Sequence, residues 1–159
     1  MSGSGVPGAQ ADLPDLNVWL ALAWPGHVHH QRARTYWEEE AAPEVIFCCV
    51  TTLGLVRLLS QPRVMGESVC SLAKAAQILR AFLRQPGVSF RSEPAYSWEV
   101  FEQLVSRGEW PSRLCSDAHL AATALVQGQR LVSFDADFKR FPGLQWLHLD
   151  SCPAASKLF

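Results

Sequence analysis

No two of the five cysteines are spaced C-x-x-C, and five is an odd number. A disulfide framework and a structural zinc site both lose their usual sequence basis, so reduced thiols in a cytoplasmic protein are expected. No apolar run reaches the ~18 residues of a membrane span. The opening MSGSGVPGAQ lacks the charged and apolar regions of a secretory leader. An excess of charge is missing too: 14 Lys and Arg stand against 15 Asp and Glu, for a net charge of −1. That balance argues against recognition of nucleic acid by bulk positive charge and leaves room for a local basic patch. Only 18% of residues are charged and 48% are apolar, a composition that leans toward a contact face, in a homodimer or with a tight partner. Repeats, long linkers and a G-x-S-x-G nucleophile motif are all absent. A chain of 159 residues fits one domain over 11–150, with 1–10 as a flexible lead and 151–159 as a tail.

What is present is an alternation of short apolar runs and helical patterns. Strands are expected at 10–14, at VIFCCV (45–50), at VSF (88–90), at LVSF (131–134) and at 144–149. Between them, helices are expected at 18–24 with Asn17 as N-cap, at 30–41, at 51–60, and at 72–83. The last of these carries apolar positions at 72, 75, 76, 79, 82 and 83. Trp98, Phe101, Leu104 and Val105 mark another helix, and 117–126 a further one stopped by Gly128. Alternation of this kind implies an α/β fold, a three-layer α/β/α sandwich around a mostly parallel sheet.

Three aspartates stand where an apolar strand gives way to a turn or a helix start: Asp15, Asp117 and Asp135. In an open α/β sheet such junctions lie at the carboxyl ends of strands, the edge where ligands bind. At about 4 Å and an effective dielectric near 20, two carboxylates repel by roughly 4 kcal/mol. Acids gathered there spread apart, raise a pKa, or hold a divalent cation. Each also has a bland reading: Asp15 as a turn or capping residue, Asp117 as an N-cap.

The segments DLNVWLALAWPGHVHHQRA, VTTLGLVRLLSQPRVMG, SDAHLAATAL and LVSFDADFKRFPGLQW resemble, in order and spacing, the successive motifs of PIN-domain nucleases. The resemblance is nearest to the VapC toxins of bacterial toxin–antitoxin pairs and covers roughly residues 12–149. It implies an Mg²⁺-dependent endoribonuclease (Mn²⁺ being an alternative ion), an RNA substrate, and inhibition by a VapB-type antitoxin. It also implies roles for particular residues. Asp15, Asp117 and Asp135 match the family's acids as metal ligands and catalytic groups. Asp137 matches an additional ligand, with a turn or cap as the equal alternative. Asn17 reads as a helix cap or as a hydrogen-bonding neighbour of the site, and Ser133 as a hydroxyl that binds a carboxylate or a phosphate.

One departure stands out. Where the family carries a glutamate after the second strand, this chain has Thr52, whose hydroxyl has no charge to offer and at most orients a metal-bound water. Among Arg57, Arg63, Arg113, Lys139 and Arg140, the preferred phosphate contacts are Arg113 and Arg140. The six tryptophans read more often as core than as interface, with Trp19 and Trp24 on the apolar first helix as candidates for a groove that an antitoxin helix or strand fills. His27, His29 and His30 form H-x-H-H without a partner cysteine or acid pair, and read as surface and capping residues. Two other classes compete. One is a PIN-like scaffold that binds RNA or protein without cutting. The other is a phosphatase-like domain built on D-x-D, disfavoured because Phe138 and Lys139 follow the pair.

Overall fold

The computed structural model describes residues 8–149. Five strands form one sheet in the order β3-β2-β1-β4-β5, with β1 at Ala11–Pro14, β2 at Glu44–Phe47, β3 at Val88–Phe90, β4 at Arg130–Ser133 and β5 at Trp146–His148. Every neighbouring pair is parallel. The α/β sandwich expected from the alternating pattern is therefore observed. Strand order reverses at the central strand, since β1 has β2 on one side and β4 on the other. A crevice opens at such a reversal, outside the carboxyl ends of the strands.

Strand periodicity distributes the core over both faces. On β2, Val45 and Phe47 pack with Trp19, Leu20, Leu55 and Leu59, side chains of α1 (Leu16–Ala23) and α3 (Cys49–Leu59). Ile46 faces the other way and packs with Leu13, Leu104, Ala118, Leu120 and Leu131. The helices of that second face are α6 (Ser97–Val105) and α7 (Cys115–Gln127). The remaining helices are α2 (His30–Thr35), the single turn α4 (Pro62–Met65) and α5 (Leu72–Leu83).

The expected boundaries hold at α5 and β3 and shift elsewhere. VIFCCV is not a strand throughout: β2 stops at Phe47 and Cys49 already opens α3. The Cys48 N–H donates to the Thr51 hydroxyl at 3.0 Å. Glu93, from a distant segment, accepts the Cys49 and Val50 N–H groups at 3.2 and 3.1 Å. Two otherwise orphaned donors at a helix start are thus satisfied, and helix wins over strand. The helix expected over 30–41 divides at Thr35 into α2 and a π-helical turn at Tyr36–Glu40. Asp15, not Asn17, caps α1. α7 begins at Cys115, which sets Asp117 inside its first turn. Most of the lead and tail expected at 1–10 and 151–159 lies outside the described residues.

Trp19 is fully buried, stacked on Phe47 at 3.7 Å and edge-on to Phe82 at 5.4 Å. It is a core residue and cannot line a groove for a partner; Trp24 is half-buried.

A second polar element lies away from the carboxyl edge. Asp12, fully buried on β1, is paired with Arg130 at 2.7 Å. It also accepts from the Tyr36 hydroxyl at 2.7 Å and the Ala42 N–H at 2.9 Å. Arg130 donates in addition to the Glu40 carbonyl at 2.9 Å. This network ties the starts of β1 and β4 to the π-helical turn, with one donor on Asp12 Oδ1 and three on Oδ2.

Candidate active site

Asp15 follows the last residue of β1 and turns the chain into α1. Its Oδ1 accepts the Leu16 N–H at 2.6 Å and its Oδ2 accepts the Ser133 hydroxyl at 3.0 Å. Ser133 ends β4 and is fully buried. The same hydroxyl accepts the Asp135 N–H at 2.9 Å, so the turn after β4 is fixed relative to the turn after β1. Asp135 in turn caps the following 3₁₀ turn, with its Oδ1 accepting the Asp137 N–H at 2.8 Å. Asp117 reaches the same place from the first turn of α7.

The three acids line one cavity of about 440 Å³ at the β1/β4 crevice, together with Asn17, Arg57 and Ser116, and with apolar walls from Leu16, Val50, Leu53 and Leu120. Their electrostatics agree with that convergence. Burial raises the Asp15 pKa to about 6, and the Asp135 charge adds to the rise, against the lowering effect of the Ser133 and Leu16 donors. Asp117 is pushed to about 7 by burial first and then by Asp15, Asp135 and Asp137. Like charges are being held together at a cost, which a divalent cation would remove.

The chemistry of the donor set suits a hard cation: carboxylate and amide oxygens, no thiolate and no imidazole on the cavity wall. Among the described residues, no three His, Cys, Asp or Glu side chains are already closed around a single metal-sized point.

The other expected site residues fall into place unevenly. Asn17 is exposed in the first turn of α1 and lines the cavity. Ser133 binds a carboxylate, as one of its two readings has it; being fully buried, it cannot reach a substrate phosphate. Thr52 does not line the cavity: its hydroxyl donates back to the carbonyls of Cys48 and Cys49, both at 2.9 Å. It is a helix-start hydroxyl rather than a polar group aimed at the acids. Asp137 is paired with Arg113 at 2.8 Å and with Arg140 at 3.2 Å, and those cations hold its carboxyl below the usual range. The two arginines preferred for phosphate are therefore engaged with Asp137, while Arg57 is the cation on the cavity wall. Its position had a local signal, because Arg57 lies four residues after Leu53 and three after Gly54, the spacings that bring helix side chains together. Of the histidines, His27 accepts the His29 N–H at 3.0 Å, His30 binds the Ala21 carbonyl at 2.6 Å, and His29 stacks on Phe134.

Comparison with known proteins agrees with this fold. The family model of the PIN domain matches residues 13–144. Ribonuclease VapC41 of Mycobacterium tuberculosis is 34% identical over 138 residues, covering 84% of this chain and 94% of that protein. Ribonuclease VapC38 of the same species is 32% identical over 124 residues, covering 78% and 84%. Among solved structures, VapC20 of M. tuberculosis, described as a sarcin-ricin loop cleaving toxin, superimposes with a TM-score of 0.63 at 22% identity, over 80% of this chain and 92% of that one. VapBC2 from Rickettsia felis, solved bound to a DNA fragment from its promoter, gives 0.62 at 14% identity, over 88% and 99%. The two structures share the fold, and the two sequence relatives match along most of the chain. The chain belongs to the PIN-domain family, alongside its VapC members.

Proposed function

We propose that this chain is an endoribonuclease toxin of the VapC type, dependent on a divalent cation (Mg²⁺, or Mn²⁺ in its place) and restrained by a VapB-type antitoxin. The observation that carries the reading is the meeting of Asp15, Asp117 and Asp135 in one cavity at the β1/β4 reversal. It is supported by the names of the relatives, which are ribonucleases, and by the R. felis structure, which is that of a VapBC pair.

Asp15, Asp117 and Asp135 would hold the cation, with Asn17 at the rim. When bound there, such an ion neutralises charge on a scissile phosphate and makes water a better nucleophile. The chain's own residues do the rest. Ser133 fixes Asp15 and the Asp135 backbone in one orientation. Asp117, half-buried on the rigid start of α7, is the carboxylate best placed to orient and deprotonate water. The apolar walls at Leu16, Val50 and Leu120 limit bulk water around the reacting phosphate. Water adds at phosphorus, a P–O bond to the leaving sugar oxygen breaks, and that oxygen takes up a proton.

Incubation of an RNA pool with the purified chain tests this. Cleavage in Mg²⁺ or Mn²⁺ is expected, with loss of cleavage on adding EDTA or in Asp117→Asn. A second reading is a PIN-like domain that binds RNA without cutting; the commitment of the Thr52 hydroxyl to its own helix, where the family carries a glutamate, favours it. Absence of cleavage at any divalent-cation concentration, with RNA binding retained, selects that reading.

A further inference from the structure

We propose that Arg57 grips the substrate phosphate adjacent to the one that is cut, forming a phosphate subsite on the wall of the acidic cavity. This rests on the nuclease reading of that cavity. Arg57 is exposed, and it is the one cationic side chain on the cavity wall. It stands within the same cavity as three carboxylates, yet among the described residues its guanidinium forms no ion pair or hydrogen bond; its backbone carbonyl accepts from the Ser60 hydroxyl. Arg32, Arg34, Arg91, Arg113, Arg130 and Arg140 are each tied to a carboxylate, and the other unpaired arginines, Arg63, Arg80, Arg84 and Arg107, lie off the cavity wall.

The local packing explains why Arg57 is held where it is. A Cβ on Gly54 would lie 2.6 Å from Leu16 Cδ2, so glycine lets α3 press directly on α1 beside Asp15. One turn further along α3, Arg57 emerges at the cavity that the acids line. A cavity lined by acids alone repels a polyanion. A guanidinium left free there supplies two parallel N–H donors for a phosphate, which a point-charge ammonium does not. The acids then attract a cation, Arg57 attracts the backbone, and the two charges of the cavity are separated by function.

The test uses full-length protein carrying Asp117→Asn, so that RNA stays intact, and measures the affinity for a fluorescent single-stranded oligoribonucleotide across a salt series. Adding Arg57→Ala is expected to weaken binding about tenfold and to reduce the salt slope by about 0.7, the value for one phosphate on a single strand. Arg57→Lys should keep the slope and recover part of the affinity. In the cleaving protein, Arg57→Ala should raise KM more than it lowers kcat. Arg84→Ala is the control for loss of charge alone, since Arg84 closes α5 and lies outside the cavity. Unchanged affinity and slope in Arg57→Ala, an equal loss in Arg84→Ala, or no RNA binding by the parent would each overturn the proposal. Failure of the wild-type chain to cleave, with the Arg57 effect on binding intact, would instead count against the nuclease reading alone.

Discussion

The hydroxyl of Ser133 joins Asp15 to Asp135: it donates to the Asp15 carboxylate at 3.0 Å and accepts the Asp135 N–H at 2.9 Å. Ser133→Ala removes a donor that lowers the Asp15 pKa and frees the turn that carries Asp135. The acid limb of the pH–activity profile should move to higher pH, and the cation concentration for half-maximal activity should rise about tenfold or more, as when other residues supporting metal ligands are lost. A profile and a metal requirement identical to wild type would show that this hydroxyl does not organise the site.

Stability should depend on pH with an unusual sign. Asp15 and Asp117 have raised pKa values, about 6 and about 7. Between the ordinary carboxylate range near 4 and about 7, the folded chain therefore binds more protons at these two positions than the unfolded chain does. Their contribution favours folding below that window and is lost as pH rises through it. Asp137 and Glu93, whose values are lowered, act below the ordinary carboxylate values and oppose the trend only at its acid end. Thermal melts without divalent cation should show this contribution falling between about pH 4 and pH 7. Asp117→Asn should raise the melting temperature at pH 8 by a few degrees, at about 2–4 °C per kcal/mol. A lower melting temperature in that variant at pH 8 would contradict the charge account.

Local patterning made much of this legible. The 3.6-residue repeat of 72–83 and the short run 88–90 match α5 and β3 in the structure because each owes its form to neighbours in sequence. Asp15 and Asp135 stand just past the ends of β1 and β4, as strand-helix alternation and parallel order imply; Asp117 does not, because a 3₁₀ turn at Ser112–Leu114 and not a strand precedes α7. Illegible were features set by distant residues. Nothing local says that Glu93 closes the start of α3 and converts Cys49 and Val50 from strand to helix. Nor does sequence show that Asp137 draws in Arg113 and Arg140 and leaves Arg57 at the cavity, or that Trp19 lies inside the core against Phe47. The buried Asp12–Arg130 pair joins positions 118 residues apart and carries no local signature at all.

Glu93 offers a direct check on that long-range cap. Glu93→Ala leaves the Cys49 and Val50 N–H groups without their acceptor. A loss of about 0.5–2 kcal/mol is expected, in the range of other helix caps. The measurement is the shift of the urea midpoint at constant slope. An unchanged midpoint would mean that water replaces the carboxylate at no cost.

Asp12 should matter for folding and not for chemistry. Breaking a buried pair by deleting one partner costs about 3–5 kcal/mol, and Asp12→Ala also strips an acceptor from Tyr36 and Ala42. Equilibrium unfolding should show that loss, while activity per folded molecule stays near wild type, since Asp12 is absent from the cavity wall. Selective loss of activity with stability retained would place Asp12 in the site instead.

Titration of Mn²⁺ into the chain, followed by the loss of free-ion signal in electron paramagnetic resonance, tests the shared-cation claim most directly. Wild type should take up the ion at neutral pH, less so below pH 6 as protons compete for Asp15 and Asp117. Each of Asp15→Asn, Asp117→Asn and Asp135→Asn should weaken uptake, while Asp12→Asn, if folded, should not. Undiminished binding in all three cavity variants, or no binding by wild type, would contradict the account.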